Sequence, residues 1–358
     1  MAILVLNAGS SSLKASLIHE PGGVTLATTT RELGGQADAR LTVAGAISQL
    51  ETHGTVEAVG HRVVHGGTSF VEPTVVDASA IARIRELDAL APLHNAVAAE
   101  VIEAAQELLP GVPHVACFDT AFHHGLPEAW RRYPVPEAWG AQRFGFHGLS
   151  VAWAFERAAA LLGTPPEQLS LVVAHLGSGS SVTAVDRGVS VNTSMGMTPL
   201  EGLMMGTRAG SIDPGILLKQ LRSGAEVETL AEALEHGSGL AAVSGQGADV
   251  RKLEAASQDG DARASLALEM FAARAAAGIA AMATSLERLD AVVFTGGIGE
   301  GSHAMRRAIC ERLSVLGVPF PGEPPSDEDA VLAADGGPVI IRVTAREDLV
   351  IARQVSSR

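Results

Sequence analysis

Ile3-Leu4-Val5-Leu6-Asn7-Ala8-Gly9-Ser10-Ser11-Ser12-Leu13-Lys14-Ala15-Ser16-Leu17-Ile18 runs from a short apolar strand through a glycine/serine turn into a second strand that alternates in period two. The arrangement returns half a chain later, as Leu171-Val172-Val173-Ala174, then His175-Leu176-Gly177-Ser178-Gly179-Ser180-Ser181, then Val182-Thr183-Ala184-Val185. One Gly-Ser turn between strands is common in many folds. Two with matched flanks predict a duplicated domain. Such turns also offer backbone N–H groups and hydroxyls to phosphate oxygens, so a pair of them suits a polyphosphate gripped from both sides.

Outward from the first turn, Val24–Ala27 reads as a third strand, 42–51 as a helix, Val56–Val59 as a strand, 78–89 and Ala96–Leu109 as helices, and Val112–Phe118 as a buried strand ending at Asp119. The order is β-β-β-α-β-α-β. Residues 122–147 read as loop and 150–162 as helix. After the second turn come a strand over Gly188–Asn192, a Gly/Met-rich loop over 194–212, helices over 213–223, 226–235 and 261–288, a strand over Ala291–Thr295, a helix over 303–315, a strand over Val339–Val343 and a short C-terminal helix. The second half thus repeats the first with insertions.

The composition of the 358 residues fits a two-domain globular protein, at 47% hydrophobic and 18% charged. The net charge of -14, with lysine only at 14, 219 and 252, argues against nucleic-acid and anionic-membrane partners. Cys117 and Cys310 show no metal or redox spacing and suggest a reducing cytoplasm. No signal peptide is expected, and the longest apolar run, Ala275 to Met282, is too short to span a bilayer.

Several residues carry chemistry. The first turn joins strand to strand and lacks Gly-Lys-Ser/Thr, so it is not a Walker loop. Asn7 can offer an oxygen to Mg2+ or its waters, and Lys14 can reach a phosphate. Thr295-Gly296-Gly297-Ile298-Gly299-Glu300 opens a helix after a strand, which suits a nucleotide, but its glycine spacing is not a dinucleotide fingerprint. Arg62, in Gly60-His61-Arg62-Val63-Val64-His65-Gly66-Gly67, and Arg208, in a glycine-rich loop, are candidate forks for carboxylate or phosphoryl oxygens. Asp119 ends a strand, where open α/β sheets place functional groups. His147 sits in Arg143-Phe144-Gly145-Phe146-His147-Gly148. No zinc spacing is present. Taken alone, each of these admits a plain structural role: a turn cap, a surface charge, a packed histidine.

Together the blocks "NAGSSSLK", "GHRVVHGG", "APLHN", "FDTAFH", "RFGFHG", "AHLGSGSS", "TSMGMTPLEGLMMGTRAGSIDP" and "FTGGIGE" occur in the order seen in the acetate kinases, and the chain resembles that family from residue 3 to about 351. The resemblance implies the duplicated βββαβαβα fold, ribonuclease H-like and shared with sugar kinases, actin and heat-shock chaperone ATPases. It implies two domains, 1–121 plus 348–358 and the nucleotide-binding 122–347, with an active-site cleft between them. It implies transfer of a phosphoryl group from ATP to acetate, reversibly, giving ADP and acetyl phosphate, in a cytoplasmic homodimer using Mg2+, with Mn2+ as a substitute. By the same resemblance Asn7 and Glu347 hold the metal. Lys14, the turn His175, Leu176, Gly177, Ser178, Gly179, the stretch Asp249, Val250, Arg251 and the turn Gly296, Gly297, Ile298, Gly299, Glu300 contact ATP. Arg62 orients the carboxylate, Asp119 is an acid/base or positions an arginine, and His147 and Arg208 stabilise the transferring group. Val64, Leu93, Phe146 and Pro199 line the methyl pocket.

The chain departs from the family at Ser178, where asparagine is usual, and at Ala345-Arg346-Glu347-Asp348, where the metal role could move to Asp348. It is also shorter over 19–55. A propionate or short-chain acyl kinase, and a nucleotide-binding regulator without transfer activity, remain open alternatives at this level.

Overall fold

Strand β1 (Ala2–Ala8) and strand β2 (Ser12–His19) form the expected hairpin, closed by the pair Ala8–Leu13. They belong to a computed structural model that describes residues 1–9, 12–33, 39–90, 94–323, 328–334 and 336–358. The chain divides into two units, the first built from Met1–His124, Phe146–Trp153 and Arg346–Arg358, the second from Gly125–Gly145 and Ala154–Ala345. These bounds differ from the expected ones in giving 122–124, 146–153, Arg346 and Glu347 to the first unit.

In the first unit β3 (Val24–Glu32), helix α1 (Ala39–Leu50), β4 (Ala58–Val63), β5 (Thr74–Val75), α2 (Ala78–Glu86), α3 (Asn95–Leu108) and β6 (His114–Phe118) follow the hairpin. The sheet order is β3-β2-β1-β4-β6-β5. β1 is apolar on both faces because both are covered. Leu4 and Leu6 share a core with Val43 and Ile47 of α1 and Val101 of α3. Helix α2 starts where Asp77 accepts from the Ala80 N–H. β5 was not expected, being two residues long and so too short to show an alternation.

The second unit begins with the one-turn α4 (Glu128–Arg131), in the stretch expected to be loop. Helix α5 (Gly148–Leu162) has its first residues in the first unit and the rest in the second. β7 (Ser170–Leu176), β8 (Ser180–Asp186) and β9 (Val189–Thr193) follow, then α6 (Pro214–Arg222), α7 (Val227–Glu235), α8 (Gly239–Ser244), α9 (Val250–Gln258), α10 (Ala262–Ala283), β10 (Ala291–Thr295), α11 (Gly296–Gly301), α12 (His303–Arg312), β11 (Ala330–Ala333) and β12 (Val339–Arg342). Helices α8 and α9 and strand β11 were not expected, since short elements among glycines carry little periodicity. The closing helix α13 (Glu347–Ser356) returns to the first unit, where Ile351 and Val355 pack so closely on β4 that an added Cβ at Gly60 would strike both.

The second sheet runs β11-β12-β10-β7-β8-β9. Read from β9, its order and strand directions reproduce those of the first sheet. Even the irregularities agree: the register slips between Leu17 and Ile18 in the β2–β3 pair, and between Ala184 and Val185 in the β8–β9 pair. Those positions are equivalent when β1–β2 is laid on β7–β8. The duplication inferred from the two turns is therefore present strand by strand.

Helix α10 corrects one expectation, because by length and composition it could cross a membrane. It is the core helix of the second unit. Ala264, Ala267, Phe271, Ala272, Ala275 and Ile279 are buried in one cluster with β7, β8 and β10.

Buried histidines of the first unit set a pH limit. His114 Nε2 lies 3.1 Å from the Leu109 carbonyl, which only accepts, so its proton sits there. Its bare Nδ1 then accepts from His61 Nε2 at 3.0 Å. Burial, with His114 beside it, holds His61 down to about 3. Burial holds His123 down to about 4, against a hydrogen bond to the Phe146 carbonyl. The unfolded chain takes up these protons near pH 6.5, so stability is complete above that pH and falls as the pH drops towards 4. The slope approaches about 1.4 kcal/mol per pH unit for each histidine, or roughly 3 kcal/mol for His61 and His123 together between pH 6.5 and 5. Urea unfolding midpoints measured from pH 7 to 5 should fall accordingly; a flat profile contradicts the neutral assignment.

Candidate active site

The parallel pairing of β1, β4 and β6 brings three strand ends side by side. Asn7 pairs in register with Arg62, and Arg62 with Cys117, two residues before Asp119. The carboxyl ends of parallel strands are where this class of sheet presents polar groups. The Arg62 guanidinium donates from Nε to Asp119 Oδ1 at 2.9 Å, from Nη2 to Asp119 Oδ2 at 2.5 Å and from Nη1 to Asn7 Oδ1 at 3.1 Å. Asn7 Nδ2 donates to Glu347 Oε2 at 3.0 Å, and that oxygen lies 3.7 Å from Arg62 Nε. Four residues expected at the site are thus brought together within the first unit.

Asp119 is fully buried, and Arg62 and Glu347 have side chains 15% and 14% exposed. Burial pushes the Asp119 carboxyl up from its ordinary value, while the charge and hydrogen bonds of Arg62 pull it back. Burial also works against the Arg62 charge, but Asp119 and Glu347 outweigh it and raise that group above its ordinary value. A guanidinium does not give up its proton in a protein, and the fork-to-fork geometry keeps its partner ionised.

Arg346 gives Glu347 and Asp348 different surroundings. Both Asp348 oxygens accept from Arg346, at 2.9 and 3.1 Å, and Arg346 is itself tied to Thr25 Oγ1 at 2.6 Å. Asp348 is therefore engaged elsewhere, and Glu347 is the acid beside Asn7 and Arg62.

His147 belongs to the same unit and has φ +58°. This is uncommon for a residue with a side chain and marks a held conformation. The Gly148 that follows donates its N–H to the Asp119 carbonyl at 2.9 Å, and a Cβ there would collide with that oxygen. Val64 and Phe146 are buried in this unit, with the Phe146 ring edge-on to His65 at 5.3 Å. Lys14 is exposed and faces Asn7 across the hairpin. Leu93 lies outside the described residues, as do Ser10 and Ser11.

The remaining residues are in the second unit. The turn Gly177–Gly179 closes against the Gly206 N–H, which donates to the Ser178 carbonyl at 3.0 Å. The side chain of Ser178 is exposed. A Cβ at Gly177 would sit 3.8 Å from Gly297 N, so the turn and the start of α11 approach closely. Glu300 was expected to contact nucleotide, yet its Oε1 accepts from the Gly296 and Ala345 N–H groups, both at 2.9 Å. Asp249 accepts from the Arg251 N–H as the N-cap of α9, and its carboxylate pairs with the Arg251 side chain. Arg208 Nη1 is 3.5 Å from the carbonyl of the half-buried Pro199. Burial lowers the Arg208 pKa, with Glu235 opposing.

Among the described residues no group of three or more His, Cys, Asp or Glu is placed to hold a metal. Asn7 and Glu347 supply hard oxygens of the type Mg2+ takes alongside waters and phosphate.

A model of the acetokinase family matches residues 27–353. An acetate kinase from Deinococcus radiodurans is 44% identical over an alignment covering 99% of this chain and 98% of its own. Two solved structures resemble the whole chain, each with 99% of both chains covered. They are a Porphyromonas gingivalis acetate kinase, at TM-score 0.88 and 32% identity, and a Francisella tularensis propionate kinase, at 0.90 and 33%.

The buried pair allows a ranking. Asp119→Ala leaves the buried guanidinium without its bidentate partner and should cost about 3 kcal/mol or more. Glu347→Ala, which removes a longer and looser contact, should cost about 1 kcal/mol. Urea unfolding of the two variants measures this; the reverse order contradicts the assigned roles.

Proposed function

The chain belongs to the acetokinase family, and from that premise we infer that it transfers the γ-phosphoryl group of ATP to acetate, forming acetyl phosphate and ADP, in a reversible reaction. The observation that carries this reading is the held Arg62. It uses three of its five N–H donors on Asp119 and Asn7, leaving one on each terminal nitrogen for a carboxylate. A guanidinium so fixed suits a planar, monoanionic substrate.

Acetate is already ionised at neutral pH, so no base is needed to make the nucleophile. The difficulty is bringing one anion onto another. Arg62 takes the carboxylate. Arg208 and His147 donate to the oxygens of the transferring group, where charge spreads in a loose transition state. Asp119, with both oxygens engaged by Arg62, is a positioning residue and not a general base. Asn7 and Glu347 hold Mg2+, which supplies charge neutralisation to the nucleotide phosphates when bound. The protein contacts of the Glu347 carboxylate fall on Oε2, which leaves Oε1 for a cation. Lys14 reaches a phosphate. The turns at 175–179, 249–251 and 296–300 serve the nucleotide through backbone groups, since Glu300 and Asp249 use their carboxylates internally. Val64, Phe146, Pro199 and Leu93 bound the methyl group.

A propionate kinase shares the fold at TM-score 0.90, and one methylene is worth only ~1–3 kcal/mol. Propionate is therefore a secondary substrate. We assign the protein to the cytoplasm, where its two buried free thiols stay reduced. We also assign a homodimer. Helices α6 and α7 contain no buried residue, and Ile216, Leu218, Leu221 and Val227 are exposed on them, an apolar face that a second copy would cover.

Acyl phosphate trapped by hydroxylamine from Mg-ATP should appear with acetate, less with propionate and least with butyrate. Arg62→Ala should lower kcat/KM for acetate by at least about a hundredfold while nucleotide binding persists. Tight ATP binding without any acyl phosphate would sink this reading and favour a regulator. In light scattering, Leu218→Glu should convert a dimer to monomers; a wild-type monomer contradicts the assembly.

A further inference from the structure

The second unit holds a side-chain cluster that the strand-end site does not use. Tyr133 donates its hydroxyl proton to Glu201 Oε2 and accepts from the Met197 N–H at 3.0 Å. Glu201 Oε1 accepts from Arg143 Nη2 at 2.8 Å. Arg143 Nη1 reaches the consecutive carbonyls of Thr193, Ser194 and Met195 at 3.0 to 3.1 Å, and the guanidinium lies 5.3 Å from the centre of the Tyr133 ring. The Gly196 carbonyl accepts from the Phe144 N–H at 3.0 Å. A Cβ at Gly196 would collide with both Glu201 and Tyr133. Burial and the Glu201 bond push the Tyr133 hydroxyl well above its ordinary value.

All of these bonds but the one to Thr193, the last residue of β9, end on the loop 194–212, which carries Pro199 and Arg208. The loop also borders an open cavity of about 440 Å³, whose walls include Leu200, Glu201 and Ile212 from the loop, Leu217 of α6 and Leu234 of α7. A wall beside empty space gains no packing there. Leu203 and Met204 anchor the middle of the loop in the core of the second unit, and the Tyr133 cluster holds its first part, 194–201.

We propose that Tyr133, Glu201 and Arg143 are a positioning network that fixes the loop 194–212 and, through it, the Arg208 guanidinium. The proposal rests on the phosphotransferase reading for the role of Arg208, but not for the hold on the loop. Tyr133 touches no reacting group; it removes the freedom that a glycine-rich loop would otherwise have.

Two measurements on purified Tyr133→Phe test it. In the first, trypsin cleavage after Arg208 is followed by mass spectrometry. It should quicken at least about fivefold over wild type, with other sites unchanged and the thermal midpoint nearly kept. In the second, kcat for acyl phosphate formation should fall between about ten- and a hundredfold, the scale of a misplaced group, with KM for Mg-ATP within about twofold. Tyr133 is the only tyrosine, so its alkaline titration can be read alone in the near ultraviolet, and Glu201→Gln should bring it to lower pH. Unchanged cleavage, or an unchanged kcat with a lowered thermal midpoint, overturns the proposal. A wild type that makes no acyl phosphate while cleavage still quickens would sink the acetate reading and leave the network standing.

Discussion

A guanidinium taken out of water must have its donors met, and that requirement at Arg62 organises the first unit. An unpaired ion in such a place costs several kcal/mol. The acceptors come from three directions: the end of β1 supplies Asn7, the residue after β6 supplies Asp119, and the start of α13 supplies Glu347. Asn7 and Glu347 are 340 positions apart and hydrogen-bonded. The last helix thus returns to the first strand, and its Ile351 and Val355 seal the sheet against a β4 glycine that leaves room for them. The same pull reaches α5, whose first N–H is taken by the carbonyl of Asp119. Once Asp119 is placed, Gly148 cannot carry a side chain, and His147 is left in a left-handed conformation before it.

The duplicated sheet shows how one fold copy became specialised. In the second copy, β7 and β10 pair so that His175 and Thr295 occupy the register of Asn7 and Arg62. No arginine stands there to be satisfied. The strand ends lead instead into glycine turns, where the Glu300 carboxylate accepts from the Gly296 and Ala345 N–H groups. A strand end that carries charge must gather partners, whereas one that carries glycine can let a ligand approach its backbone. Identical topology thus carries two kinds of strand end, and the difference lies in a few residues there.

Most of the architecture was legible in the sequence because the long elements have clear periods. The β1–β2 and β7–β8 hairpins, the α3 and α10 helices and the strand ending at Asp119 stand where the pattern put them. What escaped is mostly short: β5, β11 and α8 carry too few residues to establish a period, while the longer α9 follows a glycine-rich stretch and was passed over. The site was legible as a set of residues through family motifs, but not as a set of atoms. Glu347 and Asp348 are adjacent and alike, and only the position of Arg346 separates them. Glu300 sits in a motif read for nucleotide contact, yet its carboxylate is occupied by its own backbone neighbours. Tyr133, Arg143 and Glu201 were passed over as a group. Arg143 and Glu201 both lie inside quoted motifs, but nothing in the chain says that they meet.

The glycines of the 194–212 loop explain why such a meeting is needed. Gly202 and Gly210 have φ of +107° and +72°, and Gly210 lies directly against the carbonyls of Gly202 and Leu203. Residues with side chains would be strained or excluded there. The freedom that allows this compact path is also an entropy to be overcome, of order 1–2 kcal/mol for each ordered residue. Leu203 and Met204 offset part of it by burial in the core. One arginine bonded to three successive carbonyls and one tyrosine bonded to the next turn restrain several residues at once, through side chains already fixed to each other. A polar network on one side of a glycine-rich loop keeps both the reach of the backbone and a defined direction for Arg208.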